Sequence, residues 1–210
     1  VIPKYPYYLF DIDGTLLDSA VDICSAIREA LQPHVPNPPS VPTLTRYVGY
    51  HLDVCFKELL PHYDRKQLDD LIASYKTLYL SRGHADTKPY PGALEGVRRL
   101  GGLKATATTK GTPTTRAILD QFQFLPAFNH VQGTDGFPCK PEPDVVIRAL
   151  QGLGGNPDQC LFIGDSPADM EAGRRAGVKI CAVRYGYGNQ AEIARWEPDY
   201  WINDLRELSA

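Results

Sequence analysis

The sequence is poor in cysteine and does not pair what it has. Its five cysteines, Cys24, Cys55, Cys139, Cys160 and Cys181, are scattered, odd in number and never spaced Cys-x-x-Cys. That excludes a zinc-knuckle kind of metal site and a disulfide framework. Cys160 and Cys181 fall in apolar runs, where a reduced, buried thiol is expected. An excess of positive charge is also missing, with 22 Lys and Arg against 25 Asp and Glu and a formal net charge of -3. No electrostatic footprint for nucleic acid or an anionic membrane follows from that balance. No apolar run approaches the roughly 18 residues of a membrane helix, and no basic start leads into an apolar signal segment. The expectation is a soluble, cytoplasmic protein, monomer or homodimer, with neither nucleic acid nor membrane as partner. The chain opens on Val1 rather than Met, which points to a processed or trimmed start and leaves room for a removed leader. Internal repeats and low-complexity tracts are absent too.

What is present is a chain of 210 residues, 43% hydrophobic, long enough for a core domain with a smaller companion. The stretch Tyr8-Leu9-Phe10-Asp11-Ile12-Asp13-Gly14-Thr15-Leu16-Leu17-Asp18-Ser19 reads as a buried strand running into a loop. Residues i and i+2 of a strand share a side, so Asp11 and Asp13 can address one pocket. An Asp-rich turn leading into a helix is the plainer alternative, and this stretch alone leaves both open.

From Val21 through Cys24, Ile27 and Leu31 the apolar spacing predicts a helix, with Ser19 as its cap. Prolines at 33, 36, 38, 39 and 42 then make a loop. Residues 43–60 are helical in spacing with an interruption at Arg46-Tyr47-Val48-Gly49-Tyr50-His51. Leu68, Leu71, Ile72, Tyr75, Leu78 and Tyr79 form a strong helical stripe. Residues 20–83 therefore predict helices alone.

Past Pro91-Gly92 the pattern alternates. Strands are predicted at 103–108, 130–133, 160–164, 179–183 and 200–202, with helices between them; Thr112-Pro113 reads as an N-cap followed by a first-turn proline. Apolar strands alternating with helices predict an α/β fold with a parallel sheet covered on both faces. Ligands of such sheets sit at the carboxyl ends of the strands. There the sequence places Asp11 and Asp13, then Thr108, Thr109 and Lys110, then Asp165 and Asp169, with Lys140 before a further helix. Crowded carboxylates suit a hard cation, and a lysine with hydroxyls and amides suits a phosphoryl group. Metal-assisted phosphoryl transfer is the chemistry this set favours.

These residues resemble a known family. Asp11-Ile12-Asp13-Gly14-Thr15-Leu16-Leu17-Asp18-Ser19 resembles the first motif of the haloacid dehalogenase-like phosphohydrolases. Thr108-Thr109-Lys110 is similar to the second, which more often carries Asn where this chain has Thr109. Lys140 in Lys140-Pro141-Glu142-Pro143 is similar to the third, and Gly164-Asp165-Ser166-Pro167-Ala168-Asp169 to the fourth. The Gly186-Tyr187-Gly188 and Pro198-Asp199-Tyr200 stretches fit as well, so the likeness spans the whole chain.

The resemblance implies a Rossmann-like catalytic core at 1–18 and 89–210 with an inserted all-helical cap domain at 19–88. It implies Asp11 as nucleophile and Mg2+ ligand, and Asp13 as proton shuttle with its backbone carbonyl on the metal. Thr108, Thr109 and Lys140 would bind phosphate, Asp165 would complete the metal ligands, and Asp169 would orient a metal-bound water or Lys140. Asp13 also separates phosphatases from haloalkanoate dehalogenases, which lack it. The insertion resembles the cap of phosphoglycolate phosphatase-like and beta-phosphoglucomutase-like members, with Arg46, Tyr50 and His51 as candidate specificity residues. Tyr50 and His51 stand where the mutase pattern has Arg, which places phosphatase ahead of mutase. A small phosphorylated metabolite is the implied substrate. The same motifs serve sugar-phosphate phosphatases, nucleotidases and pyrophosphatases, so they do not choose the ester. Asp18 and Ser166 read as turn or cap residues, and His84 and His130 as surface or packing residues.

Overall fold

A computed structural model describes residues 2–209. The chain separates into two compact units, Val1–Asp18 with Lys88–Ala210, and Ser19–Thr87. Its strands are β1 Tyr7–Phe10, β2 Leu17–Asp18, β3 Lys88–Pro89, β4 Leu103–Thr106, β5 Cys160–Gly164, β6 Lys179–Val183 and β7 Tyr200–Ile202. Its α-helices are α1 Ala20–Leu31, α2 Val41–Leu44, α3 Leu52–Leu59, α4 Arg65–Ser81, α5 Ala93–Arg99, α6 Thr112–Gln121, α7 Asp144–Gly152, α8 Pro167–Arg175 and α9 Gln190–Ala194. Among the described residues no helix is long and apolar enough to cross a membrane.

The larger unit is built on a five-stranded sheet in the order β4-β1-β5-β6-β7, and every pairing is parallel. The central strands β1 and β5 are apolar at successive positions because both faces are covered. Tyr8, Phe10, Leu161, Ile163, Cys181 and Val183 pack on one face with Val97 of α5 and Ile118 and Leu119 of α6. Leu9, Phe162, Ile180 and Ala182 pack on the other with Val146 of α7, Met170 of α8 and Ile193 of α9. The alternation follows the period of two in a strand. The expected strand at 130–133 reduces to one bridge, Ala105 to His130. The two linker segments pair as a short antiparallel ribbon, Leu17 with Pro89 and Asp18 with Lys88.

The smaller unit is helical. Ile23, Cys24, Ile27 and Leu31 of α1 and Leu68, Leu71, Tyr75 and Tyr79 of α4 are buried, but Val21 is exposed. The expected stripe thus holds at Cys24, Ile27 and Leu31, and Ala20 and Ile23 join it in place of Val21. Ser19 stands at the N-cap without a side-chain cap bond. Buried Asp22 of the first turn instead ties the unit's ends together, accepting from Arg82 Nε at 3.1 Å, Asp86 N at 3.0 Å and Thr87 Oγ1 at 2.7 Å.

Candidate active site

The strand order sets the site. β1 lies between β4 and β5, with Phe10 in register with Thr106 on one side and Ile163 on the other. The loops leaving these three carboxyl ends carry Asp11, Thr108 and Asp165, so a juxtaposition of residues far apart in sequence follows from the register. Asp11 N donates to Ile163 O at 3.0 Å and Ala107 N to Phe10 O at 2.8 Å, which continues the ladder into the site.

Asp11, Asp13, Thr108, Lys140, Asp165 and Asp169 are all buried, none more than 5% exposed. Carboxylate oxygens of Asp11, Asp165 and Asp169 lie within 4.8 Å of one another. Lys140 Nζ reaches Asp11 Oδ1 at 2.7 Å, Asp169 Oδ1 at 2.5 Å and Ala107 O at 3.1 Å, which uses all three of its donors. Burial works to lower the Lys140 pKa, but Asp11 and Asp169 outweigh it and hold the ammonium charged. Burial pushes the Asp11 carboxyl up to about 7, with Lys140 pulling it back and Asp169 and Asp13 adding to the rise. Asp165 is raised well above the ordinary carboxylate range by burial, then by Asp169 and Asp11. An oxygen-only donor set whose charges are this costly fits a hard divalent cation.

Asp169 is the hub of this arrangement. Its Oδ2 accepts from Asp165 N at 3.2 Å, Ser166 N at 3.0 Å and Ser166 Oγ at 2.6 Å, while its other oxygen takes Lys140. Ser166 and Asp169 together form a capping box on α8, the cap role that the sequence suggests for Ser166. On the other side, Thr15 Oγ1 donates to Asp165 Oδ1 at 3.2 Å and Tyr187 N to Asp165 Oδ2 at 2.8 Å.

Two glycines clear space for the Asp165 side chain. Gly14 has φ +91, and a Cβ there would meet Asp165 Oδ2 at 2.2 Å. A Cβ on Gly186 would lie 2.2 Å from the Asp165 Cβ. A side chain at either position has to displace the carboxylate.

The loop after β4 holds Thr108, Thr109 and Lys110. Thr108 Oγ1 accepts from Lys110 N at 3.3 Å, Thr109 is half-buried beside it, and Lys110 Nζ stands 3.2 Å from Asp13 Oδ2. Thr112 is not the N-cap of α6. Gly111 is, and the Asp135 carboxylate takes Thr112 N at 3.0 Å from a separate loop. Local sequence offers Thr-Pro as the obvious cap, and only tertiary structure brings Asp135 there.

Three features have no local sequence signal. Lys110 pairs with Asp13, Tyr185 OH donates to Thr15 O at 2.8 Å, and Tyr187 OH donates to Asp18 Oδ1 at 2.8 Å. Tyr187 lies in the Gly-Tyr-Gly stretch, which is the only hint the sequence gives. Arg46, Tyr50 and His51 lie in the helical unit. Arg46 bonds Tyr47 OH and Glu58 Oε1, each at 2.6 Å. His51 caps α3, its Nδ1 accepting from Asp53 N at 3.3 Å, and Tyr50 is half-buried between them in sequence.

Comparison with known proteins agrees with this geometry. Residues 8–183 match the family model described as haloacid dehalogenase-like hydrolase. Phosphoglycolate phosphatase of Aquifex aeolicus is 33% identical over 204 residues, covering 95% of this chain and 93% of that protein. Phosphoglycolate phosphatase of Pseudomonas putida is 31% identical, covering 95% of this chain and 77% of that protein. A crystal structure titled as a predicted phosphatase from Clostridium acetobutylicum superposes with a TM-score of 0.90 at 27% identity, covering 99% of this chain and 97% of that one. With the parallel sheet, the carboxylate cluster and these relatives together, the chain belongs to the haloacid dehalogenase-like hydrolases and is a phosphatase.

Proposed function

We propose that the chain hydrolyses a small soluble phosphomonoester, phosphoglycolate being the first candidate, with a magnesium ion and through an aspartyl-phosphate on Asp11. The observation that carries this reading is the buried trio Asp11, Asp165 and Asp169 with Lys140 paired to Asp11 and Asp169. Asp11 and Asp165, with the backbone carbonyl of Asp13, would hold the ion. Bound there, it would supply positive charge to the phosphoryl oxygens.

The chain's own residues divide the remaining work. An Asp11 oxygen attacks phosphorus, the ester P–O bond breaks, and the leaving oxygen takes a proton from Asp13. Asp13 then takes a proton from a water whose oxygen attacks the same phosphorus. The Asp11–phosphorus link breaks and inorganic phosphate leaves. Lys140 holds Asp11 in line and offsets its charge, and a phosphoryl oxygen would replace one of its protein acceptors. Thr108 and Thr109 supply further phosphate contacts. Asp169 keeps Lys140 and Asp165 in place. The helical segment 19–88 is proposed as the cap domain, with Arg46, Tyr50 and His51 the positions to vary for substrate choice.

Phosphate release across phosphoglycolate, sugar phosphates, nucleotides and pyrophosphate tests the reading. The highest kcat/KM is expected on phosphoglycolate, with EDTA suppressing turnover. No turnover of any ester with magnesium present sinks it. A second expectation concerns Gly14→Ala. Displacing Asp165 should lower kcat by about 100-fold with the far-UV circular dichroism unchanged, and full activity in that variant would show that the close approach is not needed.

A further inference from the structure

We propose that Lys110 receives an anionic group carried on the leaving-oxygen side of the ester and so selects carboxylate-bearing substrates; this rests on the reading of Asp13 as proton donor to that oxygen. The Lys110 and Asp13 side chains are 9% and 7% exposed, and their charged atoms are 3.2 Å apart. A buried ion pair of this kind is not explained by solubility, and the proposed phosphoryl chemistry does not use Lys110.

The lysine is firmly mounted. Its N–H donates to Thr108 Oγ1 at 3.3 Å and its carbonyl accepts from Thr134 N at 3.0 Å and Thr115 Oγ1 at 3.4 Å. Behind it the loops are packed backbone to backbone, since a Cβ on Gly133 would meet Lys110 O at 2.3 Å. Lys140 is committed to Asp11, Asp169 and Ala107, so the cation beside Asp13 is Lys110.

Geometry then picks the substrate group. In phosphoglycolate the carboxylate carbon lies roughly 2.4 Å from the ester oxygen by ordinary bond lengths. An ester oxygen hydrogen-bonded to Asp13 therefore brings that carboxylate within reach of an ammonium already in contact with Asp13. A carboxylate arriving beside Asp11, Asp13 and Asp165 without a cation is repelled. Lys110 turns that repulsion into a charge-assisted hydrogen bond.

The test compares phosphoglycolate with ethyl phosphate, which has the same chain length and no carboxylate, in wild type, Lys110→Met, Lys110→Gln and Lys110→Arg. Equilibrium binding of phosphonopropionate against propylphosphonate gives the same comparison without chemistry. We expect wild type to favour the carboxylate member of each pair. Lys110→Met and Lys110→Gln should shrink that preference by about 10- to 100-fold, mainly through KM and Kd, and Lys110→Arg should restore most of it. Equal losses on both esters, with the preference kept, overturn the assignment and leave the phosphoglycolate reading standing. A wild type without any preference overturns both. The Gln variant and the binding pair keep the answer readable if the Met variant folds poorly.

Discussion

Asp11→Asn is expected to lower phosphate release on the order of 10⁴-fold or more, because in the proposed mechanism Asp11 is the covalent nucleophile and every turnover passes through it. An amide is close in size to the carboxylate, so the side chain still fits a site where Asp11 is 2% exposed. It cannot attack phosphorus as the carboxylate does. The same change should not harm folding. Asp11 carries a charge that burial, Asp169 and Asp13 disfavour against the pull of Lys140, with a net rise in its pKa, and neutralising it relieves repulsion with Asp169 and Asp13. The variant should therefore unfold at the wild-type temperature or above it in EDTA. Loss of activity together with a large fall in stability would indicate a structural role for Asp11 instead.

Lys140→Met is expected to cost about 3–5 kcal/mol of stability in EDTA at about pH 8, the usual cost of leaving buried charge without its partner. Lys140 is 2% exposed and its ammonium serves Asp11 and Asp169 at once. The pH dependence has a definite sign. Burial first, then Asp169 and Asp13, already lift the folded Asp11 carboxyl to about 7 against the pull of Lys140, whereas an unfolded Asp titrates near ~3.9. Between those values the folded state binds more protons, so stability falls as pH rises through that window. Removing Lys140 takes away the pull that limits the rise. The loss in the variant should thus shrink at about pH 5, where protonated carboxyls need no counter-charge. Urea unfolding at the two pH values checks this, and a loss independent of pH would contradict it.

Much of this site is legible in the sequence because strand ends carry it. Asp11 and Asp165 each follow an apolar run, and in a parallel sheet all such ends face one edge. Ser166 reads as a cap for the same local reason. What is not legible depends on residues distant in sequence. The Asp135 cap of α6 replaces the Thr112 cap that local pattern favours. Val21 is exposed although Cys24, Ile27 and Leu31 at the same spacing are buried, a choice that apolar spacing alone does not make. The Tyr185 and Tyr187 bonds to Thr15 and Asp18 span about 170 residues, and no periodicity announces them. Lys110 and Asp13 both appear among the sequence candidates, yet only the register of β1 with β4 makes them partners.

In the proposed reaction phosphorus passes through Asp11. Rapid acid quench of the enzyme during turnover of phosphoglycolate, followed by peptide mass analysis, tests it most directly. One phosphoryl group, labile to hydroxylamine, is expected on the peptide that carries Asp11, and none in Asp11→Asn. A phosphoryl group on another residue, or active enzyme that never carries one, would contradict it.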